Sequence, residues 1–183
     1  KRLLEVARAQ FTKHGYAQTA TEAIVEEAGV TRGALYHHFG SKDGLFKAVV
    51  EVVQQDVAAR IEEAVSKTDD PWQQRLIGCK TFLSASMDAD IQQIMLVDAP
   101  AVLGFETWRE IDSQNSMRLL QESIQELADK KMIQTPSVEA FTHLLSGAMN
   151  EAALWVARSP QPKKTLAEAT RTLEHLLNSI KHS

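Results

Sequence analysis

The sequence predicts an all-α fold of about nine helices, a small N-terminal head followed by a larger helical body. Apolar residues recur at spacings of three and four almost throughout and nowhere alternate for long. Glycine, proline and short polar caps punctuate the runs at helix length. Charge divides along the chain in the same way. The net value is −4 with a pI near 5.9, yet residues 1–47 hold seven Lys or Arg against five acids (+2), and the rest holds 13 against 19 (−6). A mildly basic head on an acidic body orients toward a polyanion without coating it indiscriminately.

The first helix is expected over residues 1–14, with Leu3, Leu4, Ala7 and Phe11 inward and Gly15 as its stop. It opens in mid-pattern without a methionine, so further residues are expected upstream of Lys1. Thr21 opens the second helix, which ends at Gly29, and Thr31 caps a third that ends at Gly40. Ser41 caps a long helix to about residue 66, in which Leu45, Val49, Val53, Val57, Ile61 and Val65 form one stripe. Asp70-Pro71 is a cap followed by a proline at the first helical position. A short helix follows near residues 91–97, a bend at Pro100 and Gly104, and one long helix over residues 105–131. Thr135-Pro136 repeats the cap-plus-proline start for a helix to residue 158. The last helix carries Leu166, Ala169, Leu173, Leu176, Leu177 and Ile180 at helical spacing.

No apolar run approaches the ~18 residues of a membrane span and no signal-peptide pattern opens the chain, so a soluble protein is expected, and the single cysteine fits a reducing cytoplasm best. Cys79 is the single cysteine, with apolar neighbours that suit a helix core better than a reactive thiol. His37 and His38 are adjacent, about 100° apart on a helix, and lack partners at i+4; His14, His143, His175 and His182 are scattered. No metal and no cofactor is expected from them. Glu106, Arg109 and Asp112 read as charge pairs on a solvated face, which gives enzymatic activity no anchor.

Residues 21–39 are two short helices joined by AGVT, with Ile24, Val25, Ala28, Val30, Leu35 and Phe39 placed to share one small core. That is the pattern of a helix-turn-helix. A helix of eight or nine residues is marginal alone, so its neighbours must hold it while its tip protrudes. Such a rod, about 12 Å long, presents its N-terminal residues to base edges in a major groove about 12 Å wide. Arg32 can fork onto the two acceptors of guanine, while Gly33 and Ala34 keep the backbone close. Thr31, Tyr36, His37, His38 and Lys42 suit phosphate oxygens.

The run from Thr21 through GVTRGALYHHFGSKDGLF resembles the N-terminal DNA-binding domain of TetR-like (tetracycline-repressor-like) transcriptional regulators, over about a quarter of the chain. Carried over, the family's DNA contacts fall on Thr21, Thr31, Arg32, Gly33, Ala34, Tyr36, His37, His38 and Lys42. Glu22 departs from the family pattern, since an acid there opposes base contact from the second helix. The resemblance implies a helix-turn-helix DNA-binding domain at 1–47 and a ligand-binding and dimerisation domain at 48–183. It implies a homodimer that represses from a palindromic operator on double-stranded DNA and is released by a small-molecule effector. By the same resemblance Phe82, Met87, Met95, Phe105, Trp108, Met117 and Trp155 become pocket candidates. Asn150, an amide on an otherwise apolar helix, is the polar candidate for the pocket or for a bond across the dimer. The last two helices are implied as the dimer interface through Gly147, Leu166, Leu173, Leu176, Leu177 and Ile180. The small residues around Gly147 support this independently, because they let another helix approach. An all-helical small-molecule carrier or enzyme without specific DNA binding, and a structural DNA-binding protein without an effector, remain the alternatives.

Overall fold

The computed structural model describes residues 1–181; His182 lies outside the described residues. Ten α-helices and one π-helical segment make up the fold among the described residues, with no strand. They are α1 (Arg2–Gln18), α2 (Thr21–Ala28), α3 (Arg32–Phe39), α4 (Lys42–Val65), α5 (Pro71–Ala85), the π-helical Ile91–Asp98, α6 (Ala99–Leu103), α7 (Phe105–Ser113), α8 (Ser116–Asp129), α9 (Val138–Arg158) and α10 (Pro162–Ser179). Two compact units result, one of Lys1–Gln55 with Asp88–Ile111, the other of Asp56–Met87 with Asp112–Ser183. α4 runs through both, and its 24 residues span about 36 Å.

The first unit is built around Phe11, Ile24, Leu35, Leu45, Phe46 and Val53, all fully buried. Gly29 takes the left-handed conformation (φ 68°, ψ 33°) that ends α2, and the Val30 amide closes back on the Val25 carbonyl at 3.0 Å. That turn carries the Val30 side chain outward to 37% exposure, so Val30 is not part of the small core expected of it. Thr31 caps α3, its hydroxyl accepting from the Ala34 amide at 3.1 Å, and Ser41 receives the Gly44 amide at 3.0 Å.

α1 does not stop at Gly15. The glycine adopts φ 72°, ψ 167°, the helix kinks there, and the chain resumes to Gln18. The kink frees the Tyr16 amide, which donates to the Asp98 carboxylate at 2.7 Å. Asp98 makes no cap bond to α6; its carboxylate clamps the α1 kink instead. Pro100 likewise does not bend the chain. It lies in the first turn of α6, where a missing N–H costs nothing, and Gly104 (φ 81°) makes the bend.

In the second unit α5, α8, α9 and α10 pack around Trp72, Leu76, Cys79, Leu83, Ile124, Leu127, Val156 and Leu177. Asp70 caps α5 through the Trp72 amide at 2.9 Å, with Pro71 first in the helix. The helix expected over 105–131 divides into α7 and α8 because Asn115 leaves helical geometry (φ −124°, ψ −108°). α9 starts later than Thr135-Pro136: Ser137 is its cap, accepting from the Ala140 amide at 3.1 Å.

Candidate nucleic-acid interface and interior cavity

α3 is held from behind and open in front. Leu35 is its single fully buried side chain; truncating such a leucine to alanine costs ~2–5 kcal/mol, which measures how firmly the rod is anchored. Thr31, Arg32, Gly33, Tyr36, His37 and His38 are exposed, and Ala34 is half-buried. A side chain added at Gly33 would meet only Thr31 Oγ1, at 3.9 Å, so nothing in the protein itself fills the space in front of it.

The polar groups on this face are already connected. Arg32 pairs with Glu22 at 2.9 Å, donates to the Tyr36 hydroxyl at 3.5 Å, and lies 5.4 Å from the Tyr36 ring centroid. The bond to Tyr36 first, and the nearby Glu22 charge after it, raise the Arg32 guanidinium further above its usual range. Glu22 is lowered by its own backbone hydrogen bond, then by Thr21 and Arg32. Thr21 is buried, its hydroxyl donating to the Glu22 carboxylate at 3.2 Å. The acid that departs from the family pattern thus pairs with one terminal nitrogen of the Arg32 guanidinium.

Lys42 is half-buried, and its ammonium donates to the Tyr16 carbonyl at 2.6 Å while lying 4.2 Å from the Tyr16 ring centroid. One of its three donors therefore closes the C-terminal end of α1, and two remain. Tyr16, which the spacing pattern did not single out, donates its hydroxyl to the Asp43 carboxylate and packs its ring 4.9 Å from Phe46. Its signal in the sequence was its place directly after the helix-breaking Gly15.

The chain has two tyrosines, and their surroundings separate them. Burial, then the hydrogen bond and charge of Asp43, pushes the Tyr16 phenol from 10.0 up to about 12. The bonds from Arg32 and Thr21 hold Tyr36 below 10.0. Because the fold favours neutral Tyr16, its contribution to stability is whole below pH 10.0 and is lost as pH rises through about 12. A tyrosinate absorbance titration should show two steps, and Tyr16→Phe should remove only the upper one. A single merged step in the parent protein would contradict this geometry.

The pocket candidates separate. Phe82, Met117 and Asn150 line one cavity in the second unit, with Ile61, Arg75, Gly78, Asp112, Ser116, Leu119, Leu120, Ser146 and Met149. Its volume of about 20 Å³ is room for roughly one water. Met95, Phe105 and Trp108 belong to the first unit. There the Trp108 indole donates to the Met95 carbonyl at 3.0 Å, and Phe105 is 66% exposed. Met87 is half-buried, and Trp155 is 51% exposed. Asp112, read as part of a solvated face, is instead buried against the cavity.

The interface candidates divide between core and surface. Leu173 and Leu177 are buried in the protomer's own core, Leu166 and Ile180 are half-buried, and Leu176 is 56% exposed. On α9, Leu144, Gly147, Ala148 and Trp155 form an exposed, largely apolar stripe at helical spacing, of which Leu144 and Trp155 had not been assigned to an interface. Nothing in the protomer lies within 4 Å of a Cβ built at Gly147.

Comparison with known proteins agrees with this geometry. Residues 3–49 match the family described as "Bacterial regulatory proteins, tetR family", and residues 72–180 match "Tetracyclin repressor-like, C-terminal domain". The HTH-type transcriptional repressor AcnR of Corynebacterium glutamicum is 42% identical over 65 residues, 36% of this chain and 32% of that protein. The HTH-type transcriptional regulator TtgR of Pseudomonas putida is 34% identical over 94 residues, 50% of this chain and 45% of that one. The matches therefore span about a third to under half the length of these curated relatives. A crystal structure of a TetR-family transcriptional regulator from Pectobacterium atrosepticum superposes with a TM-score of 0.84 at 33% identity, covering 99% of this chain and 93% of that one. With both of its parts matched and a relative of that identity along its length, this chain belongs to the TetR family of bacterial regulatory proteins.

Proposed function

We propose that the chain is a ligand-responsive transcriptional repressor that binds a palindromic operator as a homodimer in the cytoplasm and is released by a small molecule in its second unit. The observation that carries the reading is α3, an eight-residue helix anchored by Leu35, with Arg32 and Gly33 exposed at its N-terminus. A major groove accepts such a tip, Arg32 reads guanine, and Thr31, Tyr36, His37, His38 and Lys42 fix register on phosphates. Repression follows from occupying a promoter, and the Corynebacterium glutamicum relative is a transcriptional repressor. Family membership favours this reading over a carrier or an enzyme.

The α9 stripe of Leu144, Gly147 and Trp155, with Leu176 of α10, supports a two-fold interface between copies. α4 offers the route for release, since it carries Ile61 at the cavity and begins at Lys42 beside the recognition helix. A ligand that favours one setting of α4 biases operator binding by that difference in affinity and no more. Selection from a random-duplex pool tests the reading. An inverted repeat with half-sites about one helical turn apart, near 34 Å, should emerge, and a pool that stays random after repeated rounds would refute it.

A further inference from the structure

The cavity of the second unit is lined by a buried guanidinium that is only partly answered among the described residues. Arg75 is 4% exposed. One of its terminal nitrogens donates to the Leu120 carbonyl at 3.4 Å, while its Nε has no partner. No carboxylate among the described residues forms an ion pair with it. Burial without an ion-pair partner leaves this guanidinium incompletely compensated for the water it has lost. Ser116, 7% exposed, lines the same cavity with its hydroxyl unpartnered. Gly78 is part of the arrangement: a Cβ there would fall 2.9 Å from a terminal nitrogen of Arg75, so the glycine leaves the guanidinium its place.

The remaining wall sets the shape of what would fit. Ile61, Phe82, Met117, Leu120 and Met149 are apolar, and Asn150 adds one amide. Asp112, buried on the same wall, sets a carboxyl group against any negative charge beyond the one that Arg75 and Ser116 can neutralise. We propose that this cavity takes a monocarboxylic acid with an apolar body, its carboxylate seated on the Arg75 guanidinium and the Ser116 hydroxyl. A fork of N–H donors matches a carboxylate in geometry as well as charge. The inference rests on the ligand-responsive reading and names the effector's class. With room for about one water in this form, the acid enters only as the walls separate. Occupation then selects a different arrangement of the helices around it, α4 among them.

The test uses the full chain and four probes, hexanoate, octanoate, benzoate and phenylacetate, each beside its methyl ester and a phosphate monoester of matching body. Calorimetric titration without DNA should find at least one acid bound about tenfold or more tighter than its ester, on the scale of a lost charge-assisted hydrogen bond. The phosphate ester should also bind more weakly than the acid. Arg75→Met should abolish the preference while leaving the unfolding midpoint unchanged or raised, because it removes an unpaired buried charge. Ser116→Ala, which removes no bond within the protein, should weaken the acid and spare the ester. Acid and ester binding equally, no probe acid binding, or a lower midpoint in Arg75→Met with acid binding intact would each overturn the proposal. Operator release is read separately. An acid that binds through Arg75 without altering operator affinity upholds the site and refutes the ligand-responsive reading. Release by an uncharged compound that Arg75→Met does not affect refutes the site and upholds the regulator.

Discussion

Arg32→Ala should lower affinity for the selected operator by roughly 30-fold to 10⁴-fold and affinity for random duplex far less, on the order of losing one bidentate guanine contact in each of two half-sites. Arg32 is exposed at the start of α3, and Gly33 and Ala34 beside it add no bulk. Its loss disturbs no buried contact, so a stability change is not expected to confuse the result. Glu22 supplies the complement. Its carboxylate pairs with Arg32 at 2.9 Å in the free protein, and DNA must displace it. Glu22→Gln should therefore raise affinity for operator and random duplex together, through loss of a negative charge near phosphate, with the larger gain at low salt, where repulsion is unscreened. Titration of labelled duplex at two salt concentrations reads both variants. Equal losses on operator and random DNA for Arg32→Ala would remove it as a base reader.

Introducing Gly147→Leu together with Trp155→Glu should yield a folded monomer. Gly147 has nothing of its own protomer within 4 Å of an added Cβ, and Trp155 is half exposed. Leucine is also a better helix former than glycine by ~0.8 kcal/mol, so the protomer gains locally what the interface loses. Light scattering should report half the parent mass. Operator affinity should fall about 10²–10⁴-fold, because the second half-site is no longer bound at high effective concentration. An unchanged mass would exclude the α9 stripe as the interface.

The head was legible because its structure is decided locally. Gly29 and Gly40 end helices, Thr31 and Ser41 cap them, and Leu35 is the one leucine of α3, all between residues 29 and 41. The kink at Gly15 was not legible in full, since the group that stabilises it, Asp98, lies 82 positions away. The body was harder for the same reason. Arg75 follows Trp72 and precedes Cys79 and Phe82 at helical spacing, a charged residue on an apolar face, and that was a usable signal. Burial of Asp112, however, depends on how α7 breaks from α8 at Asn115, and spacing alone reads that stretch as one amphipathic helix. Gln54 is fully buried with its amide unpartnered, although its position beside the α4 stripe gives no hint of it. Trp155 shows the converse. The family resemblance made it a pocket candidate, whereas the fold leaves it 51% exposed.

Hydroxyl-radical footprinting of the selected duplex at modest ionic strength tests the central claim most directly. Two short protected patches related by a dyad, about one helical turn apart, and both lost in Arg32→Ala, are the expected record. Well-folded dimeric protein that leaves the duplex evenly cleaved, or protects it without regard to sequence, would contradict the claim.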